Sequence, residues 1–134
     1  INMKLITLFL ISTFTGLSLF FYQQKPLKQS LTDGKEIYTD FCMQCHMTNG
    51  EGVPGAFPPL ANSDYLEDID KTIHALKFGL KGPITVNGKP YDSVMASQGL
   101  DDEEIADVMN YILRNWGNST DEIITEERIS TIQK

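Results

Sequence analysis

The sequence predicts an all-α domain with one small β-hairpin, preceded by a hydrophobic N-terminal helix. Three observations predict it. Apolar residues recur every three or four positions over residues 34–41, 69–78 and 105–116, the spacing of one helical face. Asn87-Gly88, between two short apolar segments, marks a tight hairpin turn, and no run of strands accompanies it. The third is Cys42-Met43-Gln44-Cys45-His46, which holds the only two cysteines of the 134 residues. It bears on what fills the centre of so small a helical domain.

Residues 5–22 form the most apolar stretch, without a charge, after Lys4. Met3 reads as the start. A short basic head and an apolar core describe an export signal, and about eighteen residues are just enough to span a bilayer. Bulky Phe20, Phe21 and Tyr22 leave no small-x-small cleavage site. An uncleaved anchor on the periplasmic side of the inner membrane is therefore expected, with a soluble periplasmic form after signal cleavage as the alternative. The chain divides into 1–25, anchor or signal with a short tether, and 26–134, the folded domain.

Residues 23–30 are polar, contain Pro26 and read as tether. A helix is expected to open at Leu31-Thr32-Asp33, with Thr32 or Asp33 as N-cap and Gly34, Ile37, Tyr38 and Phe41 on one face, running into Cys42. Gly50, Gly52, Pro54, Gly55, Pro58 and Pro59 make 48–62 a loop. A helix is expected over 64–79, with Ile69, Ile73, Leu76 and Phe78 apolar and Gly79 as its stop. Residues 84–91 form the hairpin. The clearest helix is 101–116, where Ile105, Val108, Met109, Ile112, Leu113 and Trp116 recur and Gly117 ends it. Thr125 caps a last short helix towards Gln133.

Cys-x-x-Cys-His is the pattern for covalent attachment of a c-type haem. The spacing matches two thiols to two vinyl groups and lays the imidazole of His46 against the same porphyrin face. A redox dithiol fits less well, lacking a βαβ context. Zinc needs four ligands, and His74 would have to be the fourth. A Cys42–Cys45 disulfide would close a very small loop and stabilise little.

One iron ligand from the protein leaves a position open for chemistry, whereas two suit electron transfer. Met43 and Met47 are too close to the motif to reach the far face, Met109 lies on an apolar helical stripe, and His74 sits near the apolar face of its helix. Met95, in the loop between hairpin and last long helix, is the leading candidate. The net charge of −7 argues against nucleic acid binding through a basic surface. The acids cluster at 101–107 and 121–127, where carboxylates oppose the positive ends of helix dipoles on solvated faces, or form a docking surface for a basic partner.

Over residues 31–117 the chain resembles a class I c-type cytochrome. Gly34, Tyr38 and Cys42 resemble the family's N-terminal helix, and Val108, Tyr111 and Trp116 the C-terminal helix that crosses it. Phe57-Pro58-Pro59-Leu60 is similar to the proline–leucine segment after the haem motif, and 49–52 and 84–91 to a bacterial subgroup with a glycine-rich loop and small hairpin. The resemblance implies a cytochrome c fold around one covalent haem c. Its cofactor-binding residues would be Cys42, Cys45, His46, Pro58 and Met95, with His46 and Met95 on the iron and the Pro58 carbonyl accepting from His46 Nδ1–H. It implies one-electron carriage, not enzymatic catalysis, between redox partners such as a terminal oxidase, reductase or dehydrogenase. Ala96 stands where the family often has proline. The loop is then less constrained, and the alternative is a haem enzyme or gas or redox sensor with a labile methionine.

Overall fold

The computed structural model describes residues 24–134, so the expected N-terminal helix and anchor lie outside the described residues. Among the described residues, no helix is long and apolar enough to cross a membrane. The architecture is mainly helical. Helix α1 (Leu27–Ile37) continues through a π-helical turn (Tyr38–Cys42) into the short α2 (Met43–His46). A 3₁₀ turn (Asp64–Glu67) leads to α3 (Ile69–Phe78), the strands β1 (Ile84–Val86) and β2 (Lys89–Tyr91), α4 (Asp102–Ile112) and α5 (Glu126–Ser130).

Helix α1 starts earlier than its sequence implies. It opens directly after Pro26, whose ring presets φ and whose carbonyl accepts from the backbone N–H groups of Gln29 and Ser30 at 2.9 and 3.0 Å. Thr32 and Asp33 are not caps. Thr32 Oγ1 donates to the Lys28 carbonyl, and Asp33 accepts from Gln29 Nε2 and pairs with Lys25 at 2.5 Å. Polarity here marks side-chain bonding within a helix, not a tether.

Helices α1 and α4 cross at Gly34. A Cβ at this position would lie 2.1 Å from the Asp107 carbonyl oxygen and 3.0 Å from Tyr111 Cβ, so only glycine permits the approach. Beside the crossing, Lys25 Nζ meets Asp107 at 2.6 Å and Glu103 at 3.0 Å, as well as Asp33. Burial disfavours the ammonium, but the three carboxylates together outweigh burial and raise the lysine pKa. Asp101 to Glu104 form the expected acidic helix start, with Asp101 and Glu104 in a capping box. Asp107 departs from the solvated reading: it is 3% exposed and neutralised by Lys25.

The π-helical turn inserts one residue into the helical register and rotates the chain beyond it. Tyr38 points inward at 2% exposure, while Phe41, expected on the same face, stands 45% exposed. Tyr38 packs against Trp116 and Tyr111, with ring centroids 4.8 and 5.7 Å away, and its hydroxyl donates to the Met47 carbonyl at 2.6 Å. Helix α4 stops at Ile112, short of the expected Trp116. Trp116 takes a positive φ of 54°, and its ring packs against both Tyr38 and Tyr111.

The expected 64–79 helix is divided, because the Asp68 side chain caps α3 by accepting from Lys71 N. The hairpin forms as expected, with Ile84 opposite Tyr91 and Val86 opposite Lys89, and with positive φ at Asn87 and Gly88. Asn87 Oδ1 accepts from Asp64 N, and Asp64 Oδ1 from Asn87 N, which ties the turn to the 3₁₀ segment. The core contains Ile73, Ile105, Val108, Met109 and Ile129, so Met109 is a packing residue. Buried Asn110 donates to Ser30 Oγ and the Ile124 carbonyl and accepts from Ile124 N, fastening the C-terminal segment.

Gly34→Ala should destabilise the holoprotein by about 1–3 kcal/mol despite alanine's better helix propensity, because the added methyl forces α1 from α4. Guanidinium unfolding followed by circular dichroism would measure it; an unchanged midpoint would contradict the crossing geometry.

Candidate haem-binding site

A cavity of about 350 Å³ lies between α2, the 57–66 segment, α3, the hairpin and the loop before α4. One water needs only about 10–15 Å³ on a comparable scale, so this is a ligand-sized site, not a packing defect. Its wall is mostly apolar, with Leu60, Leu66, Leu76, Leu80, Val86 and Ile112 among its residues. Cys42, Cys45, His46, Pro58 and Met95 all line it. The fold therefore brings these five residues to one place, although they span more than fifty positions.

Cys42 ends the π-helical turn and Cys45 and His46 stand on α2, so both sulfurs and the imidazole come from five consecutive residues. Cys42 and Cys45 form no disulfide with each other. Burial, then the neighbouring Cys45, pushes the Cys42 thiol up to about 12, so it is protonated at neutral pH. The His46 ring lies 2.9 Å, Nδ1 to oxygen, from the Pro58 carbonyl. A carbonyl only accepts, so Nδ1 carries the proton and Nε2 keeps its lone pair. Burial lowers the imidazole pKa and the Pro58 bond partly opposes it, leaving a neutral ring suited to bind a metal. Gly52 makes this contact possible: at φ +64° its backbone runs so close that a Cβ would sit 2.7 Å from the Pro58 oxygen.

Met95 arrives from the far end of the fold. Its backbone pairs with Leu80, N to O at 2.9 Å and O to N at 2.7 Å, forming an isolated antiparallel bridge just after α3. The other candidates are elsewhere. His74 is exposed on α3, stacked edge-on against Phe78, and absent from the wall. Among the described residues no three or more His, Cys, Asp or Glu side chains converge as a metal cluster, so a zinc reading lacks its fourth ligand.

Two residues of the wall were not evident in the sequence. Ser63 Oγ and Tyr65 OH are buried against the cavity without a hydrogen-bond partner. Buried hydroxyls left unpaired are costly and point to a ligand that carries an acceptor there. The ammonium of Lys71 lies 4.2 Å from the Tyr65 ring centroid, which favours a negative charge nearby. An apolar macrocycle with carboxylate arms meets both requirements. Donor set, wall and orphan hydroxyls together fit a haem.

This fold and site define a haem-bearing electron-transfer protein. The family model described as Cytochrome c matches residues 31–116. The chain belongs to the cytochrome c family, whose cofactor is a covalent c-type haem. It is 44% identical over 95 residues to cytochrome c-552 of Thermus thermophilus, covering 65% of this chain and 70% of that protein. It is 35% identical over 106 residues to the cytochrome c subunit of alcohol dehydrogenase (quinone) from Gluconobacter oxydans, covering 75% of this chain and 22% of that subunit. Over 94 residues it is 29% identical to subunit CcoP of the cbb3-type cytochrome c oxidase of Rhodobacter capsulatus, covering 66% of this chain and 31% of that subunit. The chain thus spans between a fifth and a third of these two subunits.

Tyr65→Phe should retain covalent haem but lower holoprotein stability by about 1–2 kcal/mol, the worth of a hydrogen bond to a charged group after partial solvation. The midpoint potential should fall as well, because an unpaired carboxylate favours ferric iron. Stability and potential both unchanged would remove Tyr65 from the site.

Proposed function

We propose that this cytochrome carries single electrons through a haem held by Cys42 and Cys45 and ligated by His46 and Met95, on the periplasmic side of the inner membrane. When bound, the haem iron supplies the chemistry, alternating between ferrous and ferric states. The protein's part is to hold both ligands and keep the surroundings apolar. His46 offers Nε2 because Pro58 occupies Nδ1, and that hydrogen bond makes the imidazole a stronger donor. Met95 offers a thioether, which favours reduced iron and raises the potential relative to two histidines. Ser63 and Tyr65 offer hydroxyls to a propionate.

The observation that carries this reading is the convergence of His46 and Met95 on one cavity, each fixed by a backbone carbonyl or amide contact of its own. A pair of residues held in this way supports a closed, six-coordinate site over an open one. The hydrophobic 5–22 segment supports anchoring outside the cytoplasm. Relatives that are cytochrome subunits of a quinone alcohol dehydrogenase and of a cbb3-type oxidase support a dehydrogenase or terminal oxidase as partner.

Met95→Ala should keep the haem covalently attached, lower the midpoint potential, abolish the weak red charge-transfer band of thioether-ligated ferric haem, and admit carbon monoxide to the reduced form. An unchanged spectrum in the variant would exclude Met95 as ligand.

A further inference from the structure

We propose that Lys77 is a positioning residue that couples the Met95 segment to a C-terminal strap, and so sets how firmly Met95 holds the iron. The inference rests on Met95 being the ligand. The strap is the chain after Gly117, beyond the family match at residues 31–116. It is fastened at three points: Asn118 Nδ2 donates to the Leu60 and Ile112 carbonyls at 2.8 and 3.0 Å, Asn110 exchanges hydrogen bonds with Ile124, and Ile129 is fully buried. A segment held this well is a rigid reference for whatever bonds to it.

Lys77 provides that bond. From the last turn of α3 its Nζ donates to the Ile129 carbonyl at 3.0 Å and the Ile132 carbonyl at 3.4 Å, and it pairs with Asp102 at 3.1 Å. One ammonium therefore joins α3, α4 and the strap. Its side chain is 19% exposed, where bonds to a charged donor are only partly screened. The backbone of the same residue faces the other way. The Lys77 carbonyl accepts from Ser97 Oγ at 2.9 Å, two residues after Met95. Leu80, three residues on, pairs with Met95 in both directions. Gly79 lies so close beneath the segment that a Cβ there would be 2.9 Å from the Met95 carbonyl oxygen. The end of α3 is thus held between strap and ligand loop.

Apart from the packing of Met95 and Leu100 on the core, the loop has few other ties. Val94 is 67% exposed, Ala96 leaves its backbone unconstrained, and Gln98 bonds only to Ala96 within the loop. Ser93 Oγ donates to the Ala56 carbonyl at 2.7 Å, a single tie on the other flank. The position of Met95 relative to the cavity therefore depends on where α3 ends, and Lys77 holds that end.

Imidazole added to the ferric holoprotein reads the holding strength, because it binds iron only when Met95 has left. Its apparent affinity tracks the population of the Met-off state. Wild type, Lys77→Met, Lys77→Arg and Ser97→Ala would be compared by imidazole titration, with guanidinium unfolding of each as a control for global stability. Lys77→Met should bind imidazole on the order of 10-fold more tightly, the equivalent of one charge-assisted bond. Ser97→Ala should shift the same way by less, and Lys77→Arg, which keeps the charge and donors, should stay near wild type. Unchanged imidazole affinity in both Lys77→Met and Ser97→Ala, whatever happens to global stability, would overturn the proposal. Should Lys77→Met fail to fold, Ser97→Ala decides alone. Absence of the thioether charge-transfer band in wild type would instead overturn the ligand reading, and the proposal with it.

Discussion

The contact of Gly34 with the Asp107 carbonyl sets the direction of the segment that carries Cys42, Cys45 and His46. Helix α1 can approach α4 this closely only because residue 34 has no side chain. The crossing puts Tyr38 against Tyr111 and Trp116, and the aromatic cluster then anchors the π-helical turn that leads into α2. Cys42, Cys45 and His46 are carried on that turn and the short helix after it, so their direction is inherited from a contact two helical turns away. Lys25 beside the same crossing neutralises Asp107, which would otherwise be a buried unpaired carboxylate.

The two proposed iron ligands are held by different means. His46 is set by a hydrogen bond from its own ring to Pro58, a carbonyl placed by the close passage of Gly52. That arrangement is local, within a loop of the first half of the chain. Met95 makes no side-chain hydrogen bond; its side chain packs against the core, and its main chain is held by the bridge to Leu80. One ligand is thus oriented by its side chain and the other by its main chain. The second depends more on neighbouring elements, which include the strap beyond the family match.

Much of this is legible in the residues. The Cys-x-x-Cys-His run specifies its chemistry within five positions, so reading it requires no tertiary information. Asn87-Gly88 demands positive φ at both places, which few other dipeptides tolerate, and the hairpin forms accordingly. Helix α4 combines a capping box with an uninterrupted apolar stripe, so only its last turn departs from expectation. The departures have a common cause in side chains whose partners are distant in sequence. Lys25 and Ser30 look like tether residues until Asp107, Glu103 and Asn110 are placed beside them. The extra residue of the π-helical turn, which turns Phe41 outward, has no signature in periodicity. Ser63 and Tyr65 are ordinary loop residues in the sequence, and only their burial against an apolar wall marks them.

The most direct test of the account is the proton NMR spectrum of the reduced holoprotein, with methionine methyls assigned by labelling. A thioether bound to diamagnetic ferrous haem lies over the porphyrin, whose ring current moves its methyl far upfield of the others. One such methyl is expected, and it should belong to Met95. An upfield methyl belonging to Met43, Met47 or Met109, or a spectrum with none, would contradict it.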